Sequence, residues 1–81
     1  MNILERLNVI FCRVFDDPSI AIQRQTTAND IEGWDSLSHM NLIIAVEIEF
    51  QVKFALGELQ SLKNVGSLVA LIEKNLQKNK I

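Results

Sequence analysis

Apolar residues recur along this chain at helical spacing, in blocks separated by polar stretches. Ile3, Leu7, Ile10, Phe11 and Val14 form the first stripe. Asn2 stands in the cap position with Glu5 three residues on, the spacing of a capping box, so a first helix is predicted to about Phe15. Asp16-Asp17-Pro18 stops it, because the residue before proline is pushed out of helical geometry and Asp favours turns; the two acids are expected to face water. The second block, Leu37 to Phe50, is different. At about 100° per residue, Leu42, Ile43, Val46 and Phe50 fall within one arc of about 140–240° and make a core face. Leu37, Met40, Ile44 and Ile48 fall in a second arc, from about 300° through 0° to about 20°, divided from the first by Ser36 and Glu47 on one side and by Ser38, Asn41 and Glu49 on the other. A surface helix needs one apolar face, so the second is either covered by another segment of the chain or meets a partner.

Leu56, Leu59 and Leu62 predict a short third helix, about Leu56 to Ser61. Val65, Leu68, Val69, Ile72 and Leu76 predict a fourth, opened by Asn64 or Val65, with Lys78 and Lys80 placed against the negative end of its dipole. Ser19 to Gly33 is a long polar connection, unusual in a small domain, which Ile20, Ile22 and Ile31 are expected to pin to the core. Gln51-Val52-Lys53-Phe54 alternates like a strand but has no strand to pair with, and so reads as an extended loop. The predicted fold is all-α: a small four-helix bundle of three main helices and one short one, with a long loop between the first and second, forming a single domain over residues 1–81.

Composition narrows the function. With 48% hydrophobic and 22% charged residues the chain has the make-up of a folded domain, and its net charge of −2 argues against nucleic acid, which calls for a clustered basic face. One Cys and one His give no metal-ligand spacing, and Cys12, alone in an apolar pattern, is expected to be core filler. No basic start followed by an apolar run marks a signal peptide, and no apolar stretch is long enough to span a membrane, so a cytoplasmic protein is expected.

The candidate chemistry lies at the start of the second helix. Gly33 and Trp34 interrupt the polar segment, Asp35 is a favoured N-cap, and Ser36 falls at the first helical position. Its hydroxyl is expected to face solvent beside unpaired N–H groups and the positive end of the helix dipole, where a phosphate ester gains roughly 0.3–1 kcal/mol. Ser36 and His39, three apart, could touch, but an exposed first turn lacks the walls and oxyanion hole of a hydrolase; His39 reads as a packing residue satisfied by the loop. Glu47 and Glu49 diverge by about 200° and are not a catalytic pair, but solvated charges, with Glu47 able to meet a basic partner. Trp34 is expected to shield the end of the bundle.

Asp35-Ser36-Leu37 at the head of an apolar helix that ends in Glu47-Ile48-Glu49-Phe50, then an extended Val52-Lys53-Phe54 and a last helix beginning Asn64-Val65-Gly66-Ser67-Leu68, resembles an acyl carrier protein over nearly the whole chain. The resemblance implies that Ser36 is esterified with 4′-phosphopantetheine from coenzyme A, whose terminal thiol holds acyl groups as thioesters, so that the chain is a carrier and not a catalyst. It also implies that Asp35 and Leu37 flank the attachment site, and that Leu37, Met40, Ile44, Glu47 and Ile48 form the face met by partners. Those partners would be a phosphopantetheinyl transferase and acyl-loading and acyl-processing enzymes such as ligases, ketosynthases and acyltransferases. Carriers of housekeeping fatty-acid synthesis typically have acids where this chain has Ser38, Asn41 and Ile48, a departure that points to a polyketide-type, lipid-modifying or other dedicated pathway. With Met1 beginning the first helix, a free-standing monomeric carrier working in trans is expected. A peptidyl or aminoacyl carrier, and an unmodified module that binds through the second apolar stripe, remain as alternatives.

Overall fold

Local chemistry sets each helix boundary in the computed structural model, which describes residues 2–60 and 62–78. Helix α1 spans Ile3–Val14 and opens on the expected capping box: the Glu5 N–H donates to Asn2 Oδ1 at 2.8 Å, and the Asn2 N–H to Glu5 Oε1 at 3.3 Å. Asp16, in the left-handed region at φ 51°, turns the chain away after the Phe15 cap. Helix α2 spans Ser36–Phe50 and ends on Gln51, also left-handed at φ 55°. The short α3 covers Leu56–Gln60, and α4 covers Val65–Lys78, with Asn64 Oδ1 accepting the Ser67 N–H at 2.9 Å as its cap. Among the described residues there is no strand, which bears out the all-α bundle.

Helix α1 packs against both α2 and α4. Between them Leu7, Ile10, Phe11, Leu42, Ile43, Val46, Phe50, Val65, Leu68, Val69 and Ile72 make one buried cluster, so the stripes read from periodicity are the core. Val52, in the extended stretch after α2, joins that cluster, while Gln51 and Lys53 face water. No described helix is long and apolar enough to cross a membrane.

The long α1–α2 connection is tied down as expected, with Ile22 buried and Ile20 and Ile31 packed against the core. Hydrogen bonds add two fastenings that apolar spacing did not show. Asn8 on α1 bridges the loop, its Nδ2 donating to the Ile20 carbonyl at 3.0 Å and its Oδ1 accepting the Ile22 N–H at 2.7 Å. The first N–H groups of α4, which a helix cannot satisfy itself, donate into the same loop: Val65 to the Thr26 carbonyl at 2.8 Å and Gly66 to the Arg24 carbonyl at 2.7 Å. A Cβ on Gly66 would stand 3.0 Å from that Arg24 oxygen, so any side chain there would press the loop backbone outward. The loop also contains a single 3₁₀ turn at Ala28–Asp30, pinned where Asp30 Oδ2 accepts the Thr27 N–H at 2.9 Å.

Some expectations change. Leu56 is exposed; of the three leucines in the predicted stripe only Leu59 and Leu62 pack against the core, and Leu62 does so from beyond the end of the short α3. Its expected last residue, Ser61, and the Lys78 and Lys80 side chains lie outside the described residues. Cys12 is only partly buried, at the seam between α1 and the loop with Sγ 3.5 Å from the Ile20 carbonyl oxygen, and is not core filler. Asn75, on an otherwise apolar face of α4, is buried because its amide donates to the Leu71 carbonyl at 2.9 Å.

Candidate functional site

At the entry to α2 the chain makes a tight approach. Gly33, at φ 87°, turns the loop so that Trp34 points back toward α1 while Asp35 and Ser36 face outward. Asp35 is extended (φ −116°, ψ −170°) and its Oδ1 accepts the Ser38 N–H at 2.9 Å, while its carbonyl accepts the His39 N–H at 2.8 Å. The Ser38 backbone bond to the ionised carboxylate holds the Asp35 carboxyl below its ordinary 3.8. Ser36 follows as the first helical residue and is exposed, as the capping pattern predicts.

Trp34 closes the end of the bundle. Its indole meets the Phe11 ring edge-on, with centroids 5.2 Å apart, lies 6.1 Å from Phe15, and stacks on the His39 imidazole at 6.0 Å with an 18° tilt. The indole Nε1–H donates to His39 Nδ1 at 3.0 Å. Burial pushes His39 below its ordinary 6.5, so at neutral pH it is uncharged with its single proton on Nε2. The lone pair a base would need is therefore committed to Trp34. That commitment, and not the lack of walls expected from the sequence, argues against a Ser36–His39 dyad, since both residues do line a cleft; His39 is the loop-satisfied histidine that the sequence implies.

Beside Ser36 opens a cleft of about 570 Å³, walled by Trp34, His39 and Met40 on one side and by Leu62, Lys63 and Leu68 on the other. Nothing in the sequence assigns these three residues to the site: Leu62 and Leu68 read as helical-period core positions and Lys63 as an exposed charge in the α3–α4 connection, and the fold brings them to Ser36. No group of three His, Cys, Asp or Glu able to hold a metal occurs among the described residues.

Down the outer face of α2 the second apolar stripe stays open: Leu37 is 74% exposed, Met40 52%, Ile44 50% and Ile48 73%. No described segment of the chain covers it. Glu47 differs from its expected role as a solvated charge. It is half-buried, and its Oε2 accepts the Phe54 N–H at 2.9 Å, fastening the extended segment to α2. Glu49 is not simply solvated either: Arg6 Nη2 lies 3.1 Å from its Oε2, a half-exposed pair worth roughly 0–1 kcal/mol.

The donor set suits a phosphate-linked arm. An exposed hydroxyl at a helix entrance offers an attachment point at the positive end of the helix dipole, and a mostly apolar cleft leads away from it.

Comparison with known proteins agrees. The family model described as "Phosphopantetheine attachment site" matches residues 5–72. The solution structure of a holo acyl carrier protein from Geobacter metallireducens superposes with a TM-score of 0.90 at 58% identity, over 96% of this chain and 90% of that one. A non-reducing polyketide synthase of Emericella nidulans is 36% identical over 75 residues, 93% of this chain, which spans only 3% of that relative's length. The chain thus belongs to the phosphopantetheine attachment family, in which it is an acyl carrier protein whose cofactor is covalently bound phosphopantetheine.

Proposed function

We propose that Ser36 is the attachment residue, that residues 1–81 act as one carrier domain, and that the open face of α2 is where partner enzymes dock. The observation that carries this is the position of the Ser36 hydroxyl, exposed at the first turn of α2 and bordered by the uncovered Leu37 and Met40. In the modification, Ser36 Oγ forms a P–O bond to coenzyme A while the pyrophosphate P–O bond breaks, the adenosine bisphosphate leaves, and the hydroxyl proton passes to a base of the transferase. Once attached, the arm's thiol carries acyl groups as thioesters. The chain itself holds the ester in reach: Asp35 fixes the first turn through Ser38, and the Trp34 and Leu68 walls offer the arm an apolar path.

Leu37, Met40, Ile44 and Ile48 supply the apolar contact for a transferase and for acyl-loading and acyl-processing enzymes. Glu47 supports this face mainly by holding Phe54 in place. The uncharged Ser38, Asn41 and Ile48 favour partners of a polyketide-type or other dedicated pathway over those of housekeeping fatty-acid synthesis, and the likeness to a segment of a polyketide synthase supports that choice.

Incubation with coenzyme A, magnesium and a broad-specificity phosphopantetheinyl transferase tests the assignment. Intact-mass measurement is expected to show one added arm on the wild type and none on Ser36→Ala, whose melting temperature stays close to that of the wild type because an exposed hydroxyl contributes little. No added mass on the wild type would point to an unmodified binding module instead.

A further inference from the structure

The chain has one tryptophan and one histidine, and the fold brings them together at the cleft beside Ser36. Three observations define the pair. The rings stack at 6.0 Å with an 18° tilt, the indole N–H donates to His39 Nδ1 at 3.0 Å, and both residues line the cleft. Indole nitrogen can only donate, and imidazole Nδ1 accepts only while it carries no proton. Protonated His39 would turn an N–H toward the indole N–H, and the bond would become a repulsion.

We propose that His39 is a positioning residue: neutral, it seats Trp34 as a wall of the cleft beside Ser36, and on protonation it releases that wall, so that the shape of the cleft depends on pH. The charged groups around the ring leave this sign intact. Asp35, the N-cap of α2 four residues earlier, is held ionised by the Ser38 N–H and favours the imidazolium. Lys63, across the cleft, opposes it. Helix α1 presents the Phe11 and Phe15 rings to Trp34, and α4 contributes Leu68, none of which titrates. Burial of the ring disfavours its charged form, so the change falls below the ordinary imidazole value of 6.5 and Trp34 is seated at neutral pH.

The relevance of the cleft to cargo rests on the carrier reading, but the device does not, so it is tested on the unmodified protein. Trp34 emission and its quenching by acrylamide are followed from about pH 7.5 to about pH 5, with helix content monitored by circular dichroism. The wild type is expected to shift to longer wavelength and become more quenchable in a single-proton transition while helix content holds. His39→Asn places a non-titrating oxygen where Nδ1 stands and is expected to keep the neutral-pH emission throughout. His39→Phe keeps a ring against the indole without an acceptor and is expected to show the acid-form emission even at neutral pH. Nitrogen-15 spectra of the imidazole are expected to show Nδ1 unprotonated at neutral pH. A flat wild-type titration, a transition that persists in His39→Asn, neutral-form emission in His39→Phe, or a proton on Nδ1 would each overturn the proposal. Transfer of the arm to Ser36 reads the carrier function separately.

Discussion

Phe50 ends α2 and is one of the large core side chains on which the stability of the bundle depends. Its ring is 4% accessible, belongs to the buried cluster with Leu7, Ile10 and Val46, and lies under the Arg6 guanidinium, whose carbon is 4.3 Å from the ring centroid. Truncation to alanine removes the ring and leaves a cavity that a core of this density closes only in part, a loss of about 3–5 kcal/mol. The Arg6 contact adds about 0.5–1 kcal/mol at a half-exposed site. At about 0.05–0.15 kcal/mol per residue, a chain of this length has roughly 4–12 kcal/mol in all, so Phe50→Ala removes between about a quarter and all of it. Urea unfolding followed by circular dichroism measures the difference, with Phe50→Leu as the control that keeps most of the volume and loses only the ring. Thermal melts should agree, with about 4–8 °C lost per kcal/mol, or a drop of about 12 °C or more for the alanine variant. A Phe50→Ala loss below about 1.5 kcal/mol would mean that the ring is not a core element, contrary to its burial here.

Other outcomes follow from the site. Glu47→Ala leaves the part-buried Phe54 N–H without its acceptor and should cost about 1–3 kcal/mol, with faster exchange of the Phe54 amide; unchanged exchange would remove Glu47 from its fastening role. Gly66→Val forces its side chain against the Arg24 carbonyl 3.0 Å away, and should free the Val65 and Gly66 amides to exchange while lowering stability by about 1–3 kcal/mol. Asp35 is more acidic folded than unfolded, so its contribution is complete above pH 3.8 and disappears as pH falls through the lower folded value; Asp35→Asn should flatten that part of the stability profile in acid. Ile44→Asp, on the open stripe, should change stability by less than about 0.5 kcal/mol yet slow transfer of the arm, and unchanged transfer would take Ile44 out of the docking face.

The helices and the core were legible because their signals are local and periodic. Leu42, Ile43, Val46 and Phe50 share one arc of α2 and read as its core face, and Asn2 with Glu5, or Asp35 before Ser36, carry their capping chemistry within a single turn. The same periodicity exposed the second stripe, since Leu37, Met40, Ile44 and Ile48 cannot be buried together with Leu42 and Val46 on one side of a helix. Glu47 and Cys12 were less legible. What decides each is a backbone group from the segment beyond its own helix, the Phe54 N–H for one and the Ile20 carbonyl for the other, and hydrogen bonds of that kind leave no period in the chain.

By itself, then, the order of residues determined the all-α bundle, its buried stripes and a capped serine at a helix entrance, because propensity, capping and amphipathicity act over a few residues. Only the tertiary structure decided that Trp34 and His39 close on each other, that Leu62, Lys63 and Leu68 wall the cleft beside Ser36, and that nothing described in the chain covers the outer face of α2. Those facts depend on how the long loop and α4 are fastened to the rest, through the Asn8 side chain and the Thr26 and Arg24 carbonyls, and such contacts between distant segments exist only once the core has brought the segments together.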